Sequence, residues 1–417
     1  MTQVLSPGHP DDSQAGAPVV DPERSRFAAT IVIGHAVKHT ITSGLSSVLI
    51  PEIKLRLGLS ATQVGSLGSV QQFTGWGATM SSGYLGDRFA HRVNVMLALS
   101  LGFTSLALLM LGFAHSYLVL LIGMLFMGFG PSMFHPPAIG ALSRRFADRR
   151  SFAISLHGTG GSIGEALGPL LAAGLLALMY WRGVLQVEFV IGAVTAFALW
   201  RLLRAKQEDG GRQVSGGSLG EYLKSFGELF KHRTLLLIFL VTALRGVGQG
   251  TNSVFLPIYL REDLHYSAAL VGLYISLGQL AGIGSQPLMG YLADRVGHKA
   301  VILPALAMFA ILLALIPFAD GKAQLAVIIL LLGLFVFSMQ SILTSAAVEQ
   351  AGAAMHSTIT SLVYASTFVG SLSPTVAGIL ADTYGLKSTF FLSAGLVATA
   401  ALVMALTKLP HRHVRVT

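Results

Sequence analysis

Long apolar segments recur along almost the whole chain, and this recurrence restricts the fold more than any other feature. A helix needs about 20 apolar residues to span a hydrocarbon core of about 30 Å. The sequence offers twelve such segments, at 27–50, 61–86, 92–113, 116–143, 151–179, 181–204, 234–260, 267–293, 299–318, 322–349, 353–381 and 386–408. Only 11% of the residues are charged, against about 25% in soluble domains. The chain is therefore predicted to be an all-α membrane protein with twelve transmembrane helices.

One polar stretch divides these segments into two sets of six. It covers residues 205–233 and is predicted to be a cytoplasmic linker between an N-terminal six-helix bundle at 27–204 and a C-terminal six-helix bundle at 234–409. Residues 1–26 lack the basic-then-apolar order of a signal peptide and predict a disordered cytoplasmic tail. Residues 410–417 form a second, short tail.

Lysine and arginine are distributed unequally between the two sides of the predicted membrane. The side that holds the termini and the linker carries 20 of them, and the other side carries 6. This asymmetry predicts a multi-pass protein of the cytoplasmic (inner) membrane with both termini in the cytoplasm. The net charge of +9 then indicates contact with anionic lipid head groups, not with nucleic acid. The absence of cysteine excludes disulfides and thiolate metal sites.

A ten-residue segment occurs twice, once in each half. Residues 83–92 read GYLGDRFAHR and residues 290–299 read GYLADRVGHK, with six identical positions at an offset of 207. Ser60 and Ser267 recur at the same offset. The sequence therefore predicts a parallel duplication of a six-helix unit.

This repeated segment resembles the signature of the major facilitator superfamily, G-x-L-x-D-R-x-G-x-R/K. The first copy departs from it only at Ala90, and the second copy is intact. The resemblance implies the major facilitator fold, in which two pseudo-symmetric six-helix bundles enclose a substrate path lined by helices 1, 4, 7 and 10. It also implies a gating role for the charged residues of both loops, namely Asp87, Arg88, Arg92, Asp294, Arg295 and Lys299.

Two further segments carry a narrower resemblance. Residues 132–136 read SMFHP and residues 160–172 read GGSIGEALGPLLA, which is similar to the fosmidomycin resistance protein branch of that superfamily. Lys38 and His39 stand where that branch has Asn-Asp. The resemblance implies proton-coupled export of a small anionic or amphiphilic compound, such as a drug or a phosphonate-like antibiotic.

Polar residues inside the predicted spans are the candidates for substrate binding, because a charge at the centre of a bilayer costs at least about 2.5–3.5 kcal/mol. The candidates are His35, Lys38, His39, His135, Arg245, Gln249, Asn252 and Gln340. Lys38 and Arg245 are predicted to face the cavity and to bind an anion, with Arg245 holding a carboxylate or phosphonate through two hydrogen bonds. Alternatives are a structural pair with a buried acid, snorkelling from a helix end, and, for His135, an ordinary satisfied polar residue.

Glu165 is the predicted proton carrier, because it lies near the middle of a span. The alternative is a structural ion pair with Arg245 or Lys38. The neighbouring glycines 160, 164 and 168 are predicted to allow close packing across the interface between the halves. Glu188 is expected to reach the outer end of its span by snorkelling.

The function predicted from these features is antiport of protons against a small-molecule substrate, by a monomer surrounded by membrane lipids. Uptake of an organic anion by symport is the alternative within transport. A membrane-embedded receptor or enzyme would need a catalytic cluster or a sizeable extramembrane domain, and neither is seen. No cofactor or metal is predicted, because no phosphate-binding loop occurs and Lys38 lies between the one close histidine pair, His35 and His39.

Overall fold

The computed structural model describes residues 22–146, 150–204, 232–351 and 367–408. In the N-terminal half the helices are α1 (Pro22–Gly44), α2 (Ile50–Leu57), α3 (Ala61–Arg88), α4 (Val93–Gly112), α5 (Tyr117–Ser132), α6 (His135–Arg145), α7 (Arg150–Leu178) and α8 (Trp181–Arg204). In the C-terminal half they are α9 (Arg233–Glu262), α10 (Ala268–Val296), α11 (His298–Leu315), α12 (Lys322–Ala351), α13 (Ser373–Tyr384) and α14 (Lys387–Leu406). Residues 1–21 of the predicted N-terminal tail, the C-terminal tail and nearly all of the linker lie outside the described residues.

Membrane-spanning length and composition confirm the predicted fold class. Within the described part of the chain, nine helices are long and apolar enough to cross a membrane. Helices α1 and α3 are not among the nine, because both carry polar residues toward an internal cavity. The predicted span 353–381 is described only from residue 367, as a 3-10 turn at Thr367–Leu372 followed by α13.

The first span differs from its predicted bounds of 27–50. Helix α1 begins at Pro22, inside the predicted disordered tail, because proline suits the first position of a helix and Glu23 interacts favourably with the helix dipole there. A π-helical turn at Leu45–Leu49 joins α1 to α2. Helix α1, the π turn and α2 form one continuous helical segment, which we call the first rod. It ends at Gly58, which adopts the left-handed conformation at φ 62°.

The predicted fourth span, 116–143, is interrupted. Helix α5 ends at Ser132 and α6 starts at His135, with Pro136 and Pro137 in its first turn. Proline has no amide hydrogen, so two consecutive prolines cannot continue the hydrogen bonds of the preceding helix. The interruption therefore lies before these prolines, and it places His135 at the start of a new helix.

Glycines let α7 pack directly on the backbone of α1. A Cβ atom added at Gly164 would lie 2.2 Å from the carbonyl oxygen of Ala36, and one at Gly168 would lie 2.4 Å from that of Thr40. The prediction that these glycines pack across the interface between the halves is therefore wrong, since both helices belong to the N-terminal half. The contact brings the side chains of α7 within reach of those of α1.

Glu188 of α8 also departs from the prediction. Its side chain is completely buried, and it reaches the place where Gly44 of α1 packs on α7, not the outer end of the span. Neither carboxyl oxygen has a hydrogen-bond partner among the described residues. Snorkelling is excluded because α1, α4 and α7 enclose this side of α8.

Candidate functional site

A cavity of about 580 Å³ lies between the two halves. Its walls come from α1, α3, α5, α6 and α7 on one side and from α9, α10 and α12 on the other. Seven predicted site residues line it, namely Lys38, His39, His135, Glu165, Arg245, Gln249 and Gln340. His35 and Asn252 are buried and lie outside this lining. The cavity therefore brings together most, but not all, of the predicted set.

A chain of hydrogen bonds connects α1 to α7 beside the cavity. His35 Nδ1 lies 2.8 Å from the carbonyl oxygen of His157. His39 Nε2 lies 3.1 Å from His35 Nε2, and His39 Nδ1 lies 3.1 Å from Glu165 Oε1. Glu165 is thus paired with a histidine and not with Lys38 or Arg245, the two partners considered from the sequence.

The donors and acceptors in this series of hydrogen bonds determine how many protons its side chains carry. A carbonyl oxygen only accepts, so His35 donates from Nδ1, and its Nε2 accepts when the ring is neutral. His39 then donates from Nε2, which leaves a lone pair on its Nδ1 facing the Glu165 carboxyl. The contact between His39 Nδ1 and Glu165 Oε1 can be a hydrogen bond only if one further proton is present, either on His39 or on Glu165. Placing this proton on His35 instead leaves the total unchanged.

This proton is accessible from the cavity. The side chains of His39 and Glu165 are 18% and 33% exposed, whereas His35 is only 2% exposed. The Ser43 hydroxyl donates to the Glu165 carbonyl oxygen at 3.0 Å, which holds α1 and α7 in register at this level. The pair can therefore exchange a proton with water in the cavity while its backbone is held in place.

Lys38 is directed at His135, not at the open cavity. Its Nζ lies 2.8 Å from His135 Nε2, and the residue is 2% exposed. An ammonium group only donates, so His135 accepts at Nε2. The start of α6 positions this histidine, because the interruption before Pro136 turns it toward α1.

Arg245 of α9 is held by α12. Its guanidinium donates to Gln340 Oε1 at 2.9 Å and to the Val336 carbonyl oxygen at 2.5 Å. Its Nε has no partner, and within the described ranges it forms no ion pair with an acid. The structural pair with a buried acid, considered from the sequence, is therefore not present among these residues.

His157 is a residue of this site that sequence reasoning missed. Its ring stacks on that of His35, with centroids 3.7 Å apart. His157, Gly161, Gly164 and Gly168 follow the i, i+4, i+7, i+11 spacing of one helix face. That pattern was the available signal, since it places His157 on the glycine face that contacts α1.

The two halves are clamped together at one end of the cavity. Lys54 of α2 pairs with Glu262 of α9 at 2.6 Å, and Arg261 Nε donates to Glu52. Asp382 of α13 accepts hydrogen bonds from the first two amides of α3 at 2.8 and 2.9 Å and from the Thr62 hydroxyl at 2.6 Å. We call these contacts the clamp.

Equivalent glycines indicate that, among the described residues, the halves do not meet at the opposite end. A Cβ atom at Gly65 would lie 2.1 Å from the Pro374 carbonyl oxygen, and one at Gly272 would lie 2.6 Å from that of Pro169. Both contacts cross between the halves. Cβ atoms added at Gly83 and Gly290, farther along the same two helices, would meet no atom of the described residues within 4 Å. In the part of the chain that the structure describes, the halves therefore touch beside the clamp and separate toward the repeated loops.

The described charged side chains of the repeated loops are engaged within their own half or exposed. Lys299 donates to the carbonyl oxygens of Ala405 and Thr407, each at 2.7 Å. The Arg295 guanidinium lies 4.5 Å from the centroid of the Tyr291 ring. The side chains of Arg88, Arg92 and Asp294 are exposed, and the side chain of Asp87 lies outside the described part.

Comparisons with known proteins agree with this architecture. A family model described as Major Facilitator Superfamily matches residues 31–372 and, in a second match, 238–417. The multidrug resistance protein MdtG of Citrobacter koseri is 27% identical over 330 residues, covering 77% of this chain and 78% of its own length. The MFS-type transporter YfnC of Bacillus subtilis is 26% identical over 400 residues, covering 93% and 95%.

Solved structures show the same fold at low sequence identity. A bacterial homologue of the human lysosomal transporter Spinster, inward-facing and occupied, superposes with a TM-score of 0.79 at 15% identity, covering 93% of this chain and 97% of its own. The nucleoside transporter NupG gives 0.74 at 15% identity, with 93% and 99% covered. The narrower resemblance to the fosmidomycin resistance branch stays a prediction.

Proposed function

Because this chain belongs to the Major Facilitator Superfamily and is a multi-pass membrane transporter, we propose that it exports a small anionic or amphiphilic compound, of the drug or phosphonate type, in exchange for protons. The observation that carries the proposal is the contact between His39 and Glu165 at 3.1 Å, which needs one exchangeable proton in the wall of the transport cavity. Uptake of an organic anion by symport is the second candidate, and the direction of transport distinguishes the two.

Proton coupling follows from what happens when this proton leaves. Without it, the lone pair of His39 Nδ1 faces the charged oxygen of Glu165, and the two groups repel each other. His39 then keeps its bond either to His35 or to Glu165, but not to both. Loss of one proton therefore rearranges the contact between α1 and α7, which is the link that an antiporter needs between its proton site and its helices.

An anionic substrate is favoured by the fixed charges of the cavity. The lining includes two basic side chains, Lys38 and Arg245, and one acid, Glu165. A buried cation without an acidic partner is costly, so a carboxylate or phosphonate beside Arg245 would lower the free energy of the occupied cavity. Gln249 and Gln340 supply amide groups that can orient the rest of the ligand.

Export is the direction suggested by the relative that is named as a multidrug resistance protein. The excess of lysine and arginine on the side of the termini and the repeated loops supports a cytoplasmic orientation of that side. The open end then faces inward, where a compound leaving the cell would enter. In the opposite conformation, the loops containing Asp87 and Asp294 would close this end.

Transport by purified protein in liposomes tests the proton site. Substrates are first found by thermal stabilisation with organic anions and phosphonates at two pH values. Glu165→Gln, which mimics the protonated acid, should abolish transport driven by a pH gradient while substrate exchange across the membrane continues. Asp320→Asn removes an exposed acid outside the cavity and should leave both activities intact. Full pH-driven transport by Glu165→Gln would contradict the proton role.

Binding measurements test the anion site separately. Arg245→Lys keeps the charge but loses the planar group with two parallel donors, so anionic ligands should bind more weakly. Arg245→Ala should lose them further. If Arg245→Ala bound anionic ligands as tightly as the parent, the substrate would be recognised by other groups of the cavity.

A further inference from the structure

Four histidines converge on one point between α1, α6 and α7. We propose that three of them, His35, His135 and His157, form a binding site for a divalent transition-metal ion such as Zn²⁺, and that the ammonium group of Lys38 competes with the ion for this site. The proposal rests on side-chain geometry and does not depend on which compound the protein transports.

The ring nitrogens have nearly the spacing that such an ion requires. One nitrogen from each of the three histidines lies within 4.8 Å of the others. A tetrahedral zinc ion with Zn–N bonds of about 2.0–2.1 Å holds its nitrogens about 3.4 Å apart. Ion binding therefore requires side-chain rotations that bring these nitrogens closer together and turn the rings of His35 and His157, stacked with centroids 3.7 Å apart, out of parallel. Neutral imidazole is a preferred ligand of zinc, cobalt and nickel.

His157 supplies the second, independent observation. It is only 3% exposed, and neither ring nitrogen has a hydrogen-bond partner among the residues described. Nearly all buried polar groups in proteins are paired, so an unpaired buried imidazole requires an explanation. A bound metal ion would be the missing partner, because it takes one nitrogen lone pair directly.

His35 is already oriented as a metal ligand. Its Nδ1 donates to the carbonyl oxygen of His157 at 2.8 Å, which leaves the lone pair on Nε2. Histidines that bind metals commonly donate their other ring nitrogen to a backbone carbonyl, and this bond fixes both the tautomer and the ring orientation. The backbone of α7 therefore holds His35 in the form that can bind an ion.

Lys38 must move away from His135 before a metal ion can bind there. Its Nζ donates to His135 Nε2 at 2.8 Å, so the protonated amine uses a lone pair that a metal would need. The two cations also repel each other. Metal binding must displace the lysine from His135, so affinity should rise when Lys38 is removed.

An ion at this site would also affect the proposed proton pathway. An ion bound to His35 Nε2 replaces the bond between His35 and His39, measured at 3.1 Å. His39 is then left with Glu165 alone. We therefore expect the ion to inhibit proton-coupled transport. This consequence, unlike the site itself, rests on the proposed function.

Cobalt titration of the purified full chain, prepared without a polyhistidine tag, tests the site. Co²⁺ reports tetrahedral histidine coordination by its visible absorption, and Zn²⁺ should displace it. We expect one Co²⁺ per chain at about pH 8. His157→Ala should abolish the spectrum, and Lys38→Met should bind about tenfold more tightly or better. His115→Ala removes an exposed loop histidine and is the control that should match the parent.

Several outcomes would overturn the proposal. The first is that the parent does not bind one Co²⁺ per chain at about pH 8. The second is that His157→Ala binds Co²⁺ as tightly as the parent. Lys38→Met binding no more tightly would remove the competition with lysine. Thermal unfolding of each variant shows whether it is folded, and Zn²⁺ should raise the unfolding temperature of the parent but not that of His157→Ala.

Discussion

Neutralising Lys54 should weaken the clamp and shift the protein toward the conformation that is open at that end. Lys54 and Glu262 are joined at 2.6 Å, and their side chains are 12% and 18% exposed. Each belongs to a different half, so the pair exists only while this end is closed. Lys54→Gln leaves Glu262 largely buried without its partner, and its desolvation then opposes closure.

The burial of the pair sets the size of the effect. Exposed ion pairs contribute about 0–1 kcal/mol, and loss of one partner from a fully buried pair costs about 3–5 kcal/mol. The pair of Lys54 and Glu262 is mostly buried but still contacts water, so the cost of losing Lys54 lies between these limits, at about 2 kcal/mol. The ratio of closed to open molecules at the clamp should therefore fall about 30-fold.

Spin-label distances measure this ratio directly. The chain has no cysteine, so Leu55→Cys and Lys387→Cys, both exposed near the clamp and in different halves, provide a single labelled pair. Lys54→Gln should increase the long-distance population. The exchange Lys54→Glu with Glu262→Lys should restore most of the short one, and Lys408→Gln, which removes an exposed lysine at the other end, should change nothing.

Two results would refute this reasoning. An unchanged distance distribution in Lys54→Gln would mean that the ion pair does not contribute to closure. A charge exchange that fails to restore the short distance would mean that the single substitution acts by another route, since only a direct pair is insensitive to which side carries which charge.

Three further predictions follow from other contacts. Asp382→Ala removes the carboxylate that accepts hydrogen bonds from the first amides of α3. It should destabilise the closed clamp by about 0.5–2 kcal/mol, seen as a larger long-distance population of the same spin labels. An unchanged distance distribution would contradict this prediction. Gly164→Val should lower detergent-solubilised thermal stability by about 1–3 kcal/mol, whereas Gly174→Val, with nothing within 4 Å of the added atom, should not. In intact cells a membrane-impermeant thiol reagent should label Lys387→Cys and spare Ser215→Cys, and the reverse pattern would invert the topology.

Much of the fold follows from the sequence because membrane helices obey simple rules of length and composition. Apolar runs of membrane-spanning length predicted the bundles, and the repeated loops predicted the duplication. The polar faces of α1 and α9 were visible for a related reason, since a residue such as Lys38 or Arg245 is too costly to face lipid. These features depend on each helix separately, and so one sequence reveals them.

The remaining features depend on how helices meet. His157 gains its importance from a neighbouring helix, and the partner of Glu165 depends on the closeness that Gly164 allows. Glu188 could be read as snorkelling because its distance from the membrane surface resembled that of a flanking residue. Its burial follows from contacts of α8 with three other helices, which spacing along the chain does not encode.

The π turn at Leu45–Leu49 affects how the first rod can move. Its closing bond runs from the Ile50 amide to the Leu45 carbonyl, so the turn holds one residue more than an α turn. Before the turn lies the serine bonded to the Glu165 backbone, and after it lies the lysine of the clamp. Conversion of the π turn to an α turn would rotate the part of the rod beyond it by about 100° relative to α1. We infer that rotation about this turn could release the clamp without moving the contact between Ser43 and Glu165.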